Sequence, residues 1–169
     1  ATSGDLTVAT NAILSASRPH SFLGLNNEGR VAIVRTTGNR HGHIVLRGGE
    51  SGPNYDTVSI AMAEAAIAKA KLPANIVVDC SHANSSKKPE LQPLVMADVV
   101  NQIRAGNKSI LGVMIESNIE AGNQSIPADL KQLKYGCSVT DGCIGWETTE
   151  KTIRDAAVLL RDVLPERLG

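Results

Sequence analysis

The chain contains several stretches in which apolar residues recur at the spacing of a helix. These stretches cover residues 5–16, 56–71, 93–105 and a last segment marked by Ile153, Ala157, Leu160 and Leu164. Ser3 precedes the first stretch and is expected to be its N-cap, whereas Pro19 and Pro73 follow the first two stretches and end them. The pattern therefore predicts a series of amphipathic helices.

Short runs of consecutive apolar residues alternate with the predicted helices. They are Ile44–Leu46, Ile76–Val78 and Ile110–Ile115. Strands of a parallel sheet that is covered by helices on both faces have such continuous apolar runs. Alternation of these strands with helices predicts a parallel sheet and the α/β class.

A different pattern lies between the first helix and the first of these strands. The apolar segments Phe22–Leu25 and Val31–Val34 flank Asn26-Asn27-Glu28-Gly29, which is typical of a hairpin turn. We predict a β-hairpin at about residues 21–36, inserted into the α/β unit. No internal repeat or linker divides the chain, so residues 1–169 are expected to form one domain.

The charge of the chain is balanced, with 17 acidic and 17 basic residues and no cluster of lysines or arginines. Neither a nucleic-acid groove nor a polybasic membrane anchor is therefore expected, and a small-molecule ligand is favoured. The apolar runs are far shorter than the roughly 20 residues that span a bilayer. Because the sequence also begins without a charged and then apolar leader, we expect no membrane association.

The cysteines of the chain are Cys80, Cys137 and Cys143. An odd number of cysteines without a C-x-x-C pair favours reduced thiols and a cytoplasmic location. The sequence begins at Ala1 rather than at a methionine, which indicates processing, nicking or truncation.

Each predicted parallel strand is followed by a polar residue whose side chain can bind a metal or an anion. These residues are Arg47, His82 and Glu116. Ligands of α/β proteins bind at the carboxyl ends of the strands, so these side chains are expected to share one edge of the sheet. Asp141 lies in a turn-like segment after the third strand and can reach the same edge. One imidazole and two carboxylates suit a divalent metal of the Mn, Fe, Co or Zn type, and an arginine suits a phosphate or carboxylate.

Each of these residues also has a simpler explanation. His82 is equally typical of a loop turn, Glu116 of a strand end that meets water, and Asp141 of an ordinary Asp-Gly turn. Arg47 can pair with a neighbouring carboxylate. Cys143 lies close to Asp141 in sequence but is more typical of a packed, small apolar residue. Taken singly, none of these residues establishes a site.

Longer motifs follow one another along the chain. They are I-V-L-R-G-G (44–49), P-N-Y (53–55), D-C-S-H-A-N-S-S-K (79–87), G-V-M-I-E-S (112–117), E-A-G-N-Q (120–124), Y-G (135–136) and T-D-G-C-I-G-W-E (140–147). In order and spacing these motifs resemble those of the type I 3-deoxy-D-arabino-heptulosonate-7-phosphate (DAHP) synthases. The resemblance covers nearly the whole chain.

The resemblance implies a (β/α)8 TIM barrel that condenses phosphoenolpyruvate with erythrose 4-phosphate in the shikimate pathway, assisted by a divalent metal. On the matching motifs, it implies that His82, Glu116 and Asp141 are metal ligands. It also implies that Arg47 holds anionic groups of phosphoenolpyruvate, so His82 and Arg47 are the expected catalytic residues. Such a metal would polarise the aldehyde oxygen or activate a water.

The same resemblance implies that this chain is the C-terminal part of the barrel, with about three of its eight strands. Three strands cannot close a barrel, and open sheet edges associate with other chains. We therefore expect a separate N-terminal half or a homo-oligomer as partner, besides the small phosphorylated substrates. The fourth metal ligand of the family, a cysteine, would come from the N-terminal half.

Departures from the family pattern leave two other functions open. Glu50 and Cys137 stand where lysine is usual, Cys80 replaces an aromatic residue and Gly142 replaces alanine. Loss of lysines near an anion-binding edge weakens the case for two phosphorylated substrates. One alternative is a diverged homologue that uses the metal for a different lyase, dehydratase or isomerase reaction. The other is a non-catalytic half-barrel that regulates a full-length homologue.

Overall fold

A computed structural model of the protein describes residues 4–167. Its helices are α1 (Leu6–Ala16), α2 (Thr57–Lys69), α3 (Gln92–Arg104), α4 (Trp146–Leu160) and α5 (Val163–Glu166). Its strands are β1 (Ser21–Leu25), β2 (Val31–Arg35), β3 (Ile44–Leu46), β4 (Ile76–Asp79) and β5 (Ile110–Met114). No helix in this range is both long enough and apolar enough to cross a membrane.

Strands β3, β4 and β5 form a parallel sheet in that order. Leu46 pairs with Val78, and Val78 pairs with Val113, so the carboxyl ends of the strands lie side by side. The register shifts between Ile76 and Val77, where β5 contains one extra residue. The mixed α/β class and the parallel sheet predicted from the sequence are confirmed.

Helices cover one face of this sheet. The core contains residues of the strands and of α2 and α3, among them Leu46, Val78, Ile60, Ile67, Val95 and Val99. Apolar strand residues outside this core stay open to solvent among the described residues: Val45 is 37% exposed, Met114 48% and Leu111 60%. The prediction of strands buried on both faces is therefore wrong for this part of the chain, because its helices lie on one side only.

Aspartates begin the first two helices. The Asp5 carboxylate accepts a hydrogen bond from the N–H of Thr7 at 2.7 Å, whereas Ser3, the predicted N-cap, lies outside the described residues. Asp56 caps α2, with the hydroxyl of Ser59 donating to its carboxylate at 2.6 Å and the N–H of Ser59 at 3.1 Å. These hydrogen bonds lower the pKa of the Asp56 carboxyl.

The last predicted helix is two helices in the structure. Helix α4 ends at Leu160, and Leu164 belongs to the separate helix α5. Pro165 explains the break, since its ring clashes with the preceding turn of a continuous helix and it has no N–H to donate. Of the predicted apolar positions in α4, Leu160 is buried, whereas Ile153 and Ala157 are exposed. Thr149 and Ala156 are the other buried residues of α4.

Strands β1 and β2 form the antiparallel hairpin that the sequence predicts at about residues 21–36. Leu25 pairs with Val31 beside the turn, and the Asn26 side chain accepts a hydrogen bond from the N–H of Arg30 at 2.9 Å. The hairpin is not part of the hydrophobic core of the α/β unit. Its exposed apolar residues include Leu23, Leu25, Val31 and Ile33.

Candidate metal centre

Three of the predicted site residues lie together at the carboxyl edge of the parallel sheet. His82 follows β4, Glu116 follows β5, and Asp141 belongs to the long loop between β5 and α4. One ligand atom from each residue lies within 4.8 Å of the ligand atoms of the other two. The Nε2 atom of His82 is 3.5 Å from Oε1 of Glu116. The fold thus brings an imidazole and two carboxylates to one point.

A tight 3-10 turn at His82–Ser85 presents the histidine. The buried side chain of Asn84 fixes this turn to the sheet, because its amide donates to the carbonyls of Leu46 at 3.0 Å and Asp79 at 2.8 Å. His82 has a φ of 51°, a left-handed conformation that costs free energy for a residue with a Cβ. The surrounding hydrogen bonds hold the histidine backbone in this conformation.

The turn after β3 packs directly against the histidine turn. Gly48 has a φ of +73°, and a Cβ at this position would lie 2.6 Å from the Cβ of Ala83. Asn54 Oδ1 accepts a hydrogen bond from the N–H of Gly48 at 2.6 Å, and the N–H of Asn54 donates to Asn84 Oδ1 at 2.8 Å. The I-V-L-R-G-G and P-N-Y motifs therefore support the turn that carries His82.

Asp79, the last residue of β4, contacts the other ring nitrogen of His82. Its Oδ2 atom lies 2.8 Å from His82 Nδ1, and its Oδ1 atom accepts a hydrogen bond from the N–H of Ser81 at 2.8 Å. Because Nδ1 faces Asp79, Nε2 is the nitrogen that faces Glu116. Asp79 therefore orients the imidazole through the ring nitrogen that does not face Glu116.

Glu116 is held through both its side chain and its backbone. The hydroxyl of Ser81 donates to Oε2, while Oε1 faces His82. The buried side chain of Gln92, at the start of α3, accepts a hydrogen bond from the Glu116 N–H at 2.9 Å and donates to the Glu116 carbonyl at 2.9 Å. Because buried amide groups without partners are costly, Gln92 stabilises the end of β5 in this position.

Asp141 is exposed and comes from the loop that returns to the sheet after β5. Backbone hydrogen bonds place this loop: the N–H of Ile144 donates to the carbonyl of Glu116 at 3.0 Å, and Gly122 and Cys143 exchange two hydrogen bonds. These contacts bring Asp141 next to Glu116, although the two residues are distant in sequence.

A cavity of about 50 Å³ lies among the three candidate ligands, and its wall is completed by Ser81, Lys87, Pro89 and Gly142. Nitrogen and oxygen ligands bind such metals at about 2.1 Å, so two ligand atoms on one ion are roughly 3 to 4 Å apart. The observed separation of Nε2 and Oε1 lies in this range. One imidazole and two carboxylates also match the donor preferences of Mn, Fe, Co and Zn. The residues present therefore fit a divalent metal of this type.

Arg47 lies apart from this cavity, at the carboxyl end of β3. It is half-buried and lines a neighbouring cleft with Leu6 and Asn54. No carboxylate in the described part of the chain forms an ion pair with its guanidinium, so the simpler explanation of a neighbouring ion pair is not observed. Of the four predicted site residues, three form one cluster and Arg47 is not part of it.

The cysteines do not join this cluster. Burial, and to a smaller extent the charge of Asp79, raises the pKa of the Cys80 thiol to about 12. Burial also raises the pKa of Cys143. All the cysteines are free thiols, as their odd number predicts. The remaining histidines are exposed and lie outside the cluster; they are His20, His41 and His43.

The sequence patterns do not single out the residues that hold the candidate ligands. These residues are Asp79, Ser81, Asn84 and Gln92. A signal exists for Asp79, because a carboxylate ends an apolar strand three residues before a candidate histidine ligand. Gln92 has no comparable signal, since glutamine is an ordinary helix-forming residue.

Comparison with known proteins places these motifs in one family. A sequence profile of the DAHP synthetase I family matches residues 2–154. The Tyr-sensitive phospho-2-dehydro-3-deoxyheptonate aldolase of Escherichia coli is 48% identical over 168 residues, which cover 99% of this chain and 47% of that protein. The Salmonella typhimurium protein of the same name is 49% identical over 154 residues, which cover 91% of this chain and 43% of that protein.

A solved structure of phospho-2-dehydro-3-deoxyheptonate aldolase from Francisella tularensis has the same arrangement of elements. It superposes with a TM-score of 0.89 at 44% identity, over 95% of this chain and 46% of that one. The chain thus spans about half the length of these relatives. Sequence and structure together show that the chain belongs to the DAHP synthetase I family.

Proposed function

We propose that this chain forms the metal-binding part of a DAHP synthase, which condenses phosphoenolpyruvate with erythrose 4-phosphate in an aldol-type reaction of the shikimate pathway. The observation that carries the proposal is the convergence of His82, Glu116 and Asp141 at one edge of the sheet. Membership of the DAHP synthetase I family makes this edge the expected place of the chemistry.

We propose that His82, Glu116 and Asp141 hold one divalent ion of the Mn, Fe, Co or Zn type. When bound, the ion supplies Lewis-acid polarisation of the aldehyde carbonyl or activation of a water. Three protein ligands leave coordination positions for a further side chain and for substrate. The task of the neighbouring residues is to hold the three donors, as Ser81 and Gln92 do for Glu116 through their hydrogen bonds.

Arg47 is proposed to bind the anionic groups of phosphoenolpyruvate. Its guanidinium has no carboxylate partner within residues 4–167, and its planar fork can grip a carboxylate or phosphate through two parallel hydrogen bonds. The hydrogen bond from Gly48 to Asn54 fixes the turn that follows Arg47. Holding the donor beside the metal ligands would orient it toward the aldehyde. His82 and Arg47 are therefore the proposed catalytic residues.

We propose that residues 1–169 form one domain, the C-terminal part of a (β/α)8 barrel with an inserted hairpin. The support is a parallel sheet with helices on one face and exposed apolar residues, such as Val45 and Leu111, that the interior of a closed barrel would bury. The remaining strands would come from an N-terminal half, continuous or separate, or from further copies of this chain. Free thiols fit a cytoplasmic location.

The condensation itself tests the proposed function. The chain would be mixed with a matching N-terminal half, Mn2+ and both substrates, and consumption of phosphoenolpyruvate would be followed together with product formation. We expect activity only when both halves and the metal are present, and loss of activity in the His82→Ala variant. A complex that binds metal at these residues but consumes neither substrate would contradict the proposed reaction and favour the diverged homologue.

A further inference from the structure

Asp79 lies behind the candidate metal centre without being one of its ligands. Its side chain is 4% exposed, and no lysine or arginine among the described residues pairs with it. A buried carboxylate is costly unless its oxygens accept hydrogen bonds. Here Oδ1 accepts a hydrogen bond from the N–H of Ser81 and Oδ2 is in contact with Nδ1 of His82, each at 2.8 Å.

The partners of the two carboxylate oxygens favour one hydrogen position on His82. Oδ1 accepts the N–H of Ser81, so Oδ2 is left for Nδ1 of His82. Carboxylate oxygens act as hydrogen-bond acceptors, and this contact therefore favours a hydrogen on Nδ1. In a neutral imidazole with its hydrogen on Nδ1, the free lone pair lies on Nε2. Nε2 is the atom that faces Glu116.

We propose that Asp79 is a positioning residue that fixes His82 in the tautomer and orientation in which Nε2 is free to bind the metal. This inference rests on the metal site of the proposed function. His82 is the first residue of a short 3-10 turn, and the contact of its Nδ1 with Asp79 helps to fix the direction of the ring. Carboxylates behind a ligating histidine have this role in other metal sites.

The Asp79→Asn variant changes the tautomer of His82 while it keeps the shape of the site nearly unchanged. The new side chain has nearly the same size, and its amide oxygen can keep the hydrogen bond from Ser81. Its NH2 group then faces Nδ1 of His82 and donates to it, so the ring hydrogen moves to Nε2. Asp155→Asn is the matched control, because Asp155 pairs with Lys151 on the exposed side of α4.

The tautomer can be read directly from nitrogen NMR of the metal-free chain with isotope-labelled histidine, at about pH 8, where imidazoles are ordinarily neutral. His82→Gln identifies the His82 signals among the 4 histidines. We expect the hydrogen on Nδ1 in the wild type and in Asp155→Asn, and on Nε2 in Asp79→Asn. A wild-type His82 with its hydrogen on Nε2 overturns the proposal, and this result needs no substitution at Asp79.

Titration of the same proteins with Co2+ measures the consequence for the metal. Loss of such an outer hydrogen bond is expected to weaken Co2+ binding about 10- to 100-fold in Asp79→Asn, with no change in Asp155→Asn. Equal Co2+ affinity in Asp79→Asn and the wild type overturns the role of Asp79 but leaves the metal site of the proposed function standing. Absence of Co2+ binding by the folded wild type overturns the metal site of the proposed function, and the role of Asp79 with it.

Discussion

The two faces of the parallel sheet differ in what the chain provides for them. On one face, helices α2 and α3 bury strand residues such as Leu46 and Val78. On the other, Val45 and Leu111 are apolar as well but stay exposed among the described residues. The strands are thus built for burial on both faces, while the described residues cover only one of them. In the barrel proposed above, side chains from further strands would cover this exposed face.

The candidate metal centre lies at the carboxyl edge of this sheet, yet its candidate ligands are held by neighbours within the chain. Asp79 orients His82, and Ser81 and Gln92 hold Glu116. Hydrogen bonds of this kind preorganise a site before any partner is present. The contrast separates two properties: the candidate metal ligands are held by residues of this chain, whereas the exposed sheet face is not covered by any of the described residues.

The largest difference in stability is expected between truncation of a side chain on the covered face and truncation of one on the exposed face. Ile60→Ala leaves a cavity under the covered face and is expected to lower the free energy of unfolding by about 2–5 kcal/mol. Val45→Ala, on the exposed side, is the control and is expected to lower it by about 1 kcal/mol or less. Denaturant unfolding of the chain measures both values. Equal losses would show that the exposed face is already buried by self-association in solution.

The support of the metal centre is tested by Gln92→Ala. This variant leaves the backbone N–H and carbonyl of Glu116 without their partner, and we expect the free energy of unfolding to fall by about 1–3 kcal/mol. Gln132→Ala, at an exposed position, is expected to change it by less than about 0.5 kcal/mol. An unchanged stability in Gln92→Ala would mean that water replaces the glutamine and that the end of β5 is not held from within.

A smaller effect on stability is expected at the start of helix α2, which packs on the covered face of the sheet. Asp56→Ala removes the N-cap and should lower the free energy of unfolding by about 1 kcal/mol near neutral pH. The pKa of Asp56 is lowered in the folded state, chiefly by the Ser59 hydroxyl, so folding favours the ionised carboxylate. The contribution of the charge is therefore present above the ordinary pKa of 3.8 and is lost as the pH falls through the lowered folded-state pKa.

The pH dependence is measured by comparing the wild type with Asp56→Asn, which keeps a side-chain oxygen for the cap. We expect the difference in free energy of unfolding between these two proteins to shrink from about pH 7 to about pH 3. A difference that persists unchanged at the lower pH would show that the charge of Asp56 does not contribute to folding.

The smallest effect on stability is expected on the exposed face itself. Leu111→Gln should change the free energy of unfolding of the isolated chain by less than about 0.5 kcal/mol. It should nevertheless weaken association with an N-terminal half or with another copy, as measured by sedimentation. Leu94→Gln, at an exposed position of α3, is the control. Equal weakening of association by both variants would place the contact surface on the helices.

Most of the fold follows from the local periodicity of the sequence, because each helix or strand shows its own apolar repeat. The hairpin at 21–36 is predicted by its turn residues in the same way. The expectations that failed have two different causes. Burial of both sheet faces requires elements outside the described residues, and the split of the last helix depends on Pro165 rather than on the apolar repeat.

The candidate ligands were within reach of sequence reasoning because parallel strands end at the same edge, which places His82 and Glu116 side by side. Asp141 is also a candidate from its turn after the third strand, and the family resemblance names it as well. The backbone hydrogen bonds that return its loop to the sheet leave no pattern in the sequence. Among the supporting residues, Asp79 has a sequence signal in its position three residues before His82, whereas Gln92 becomes visible only in three dimensions. The contact of Gln92 joins a helix start to a strand end, and spacing along the chain does not report such a contact.

The most direct measurement is a Co2+ titration of the chain, followed by the absorption spectrum of the bound ion. We expect one Co2+ per chain in the wild type and in the control Asp155→Asn. We expect this binding to be strongly weakened in each of the variants His82→Gln, Glu116→Gln and Asp141→Asn. Binding that survives all three substitutions, or a folded wild-type chain that binds no Co2+, would contradict a metal centre formed by these residues.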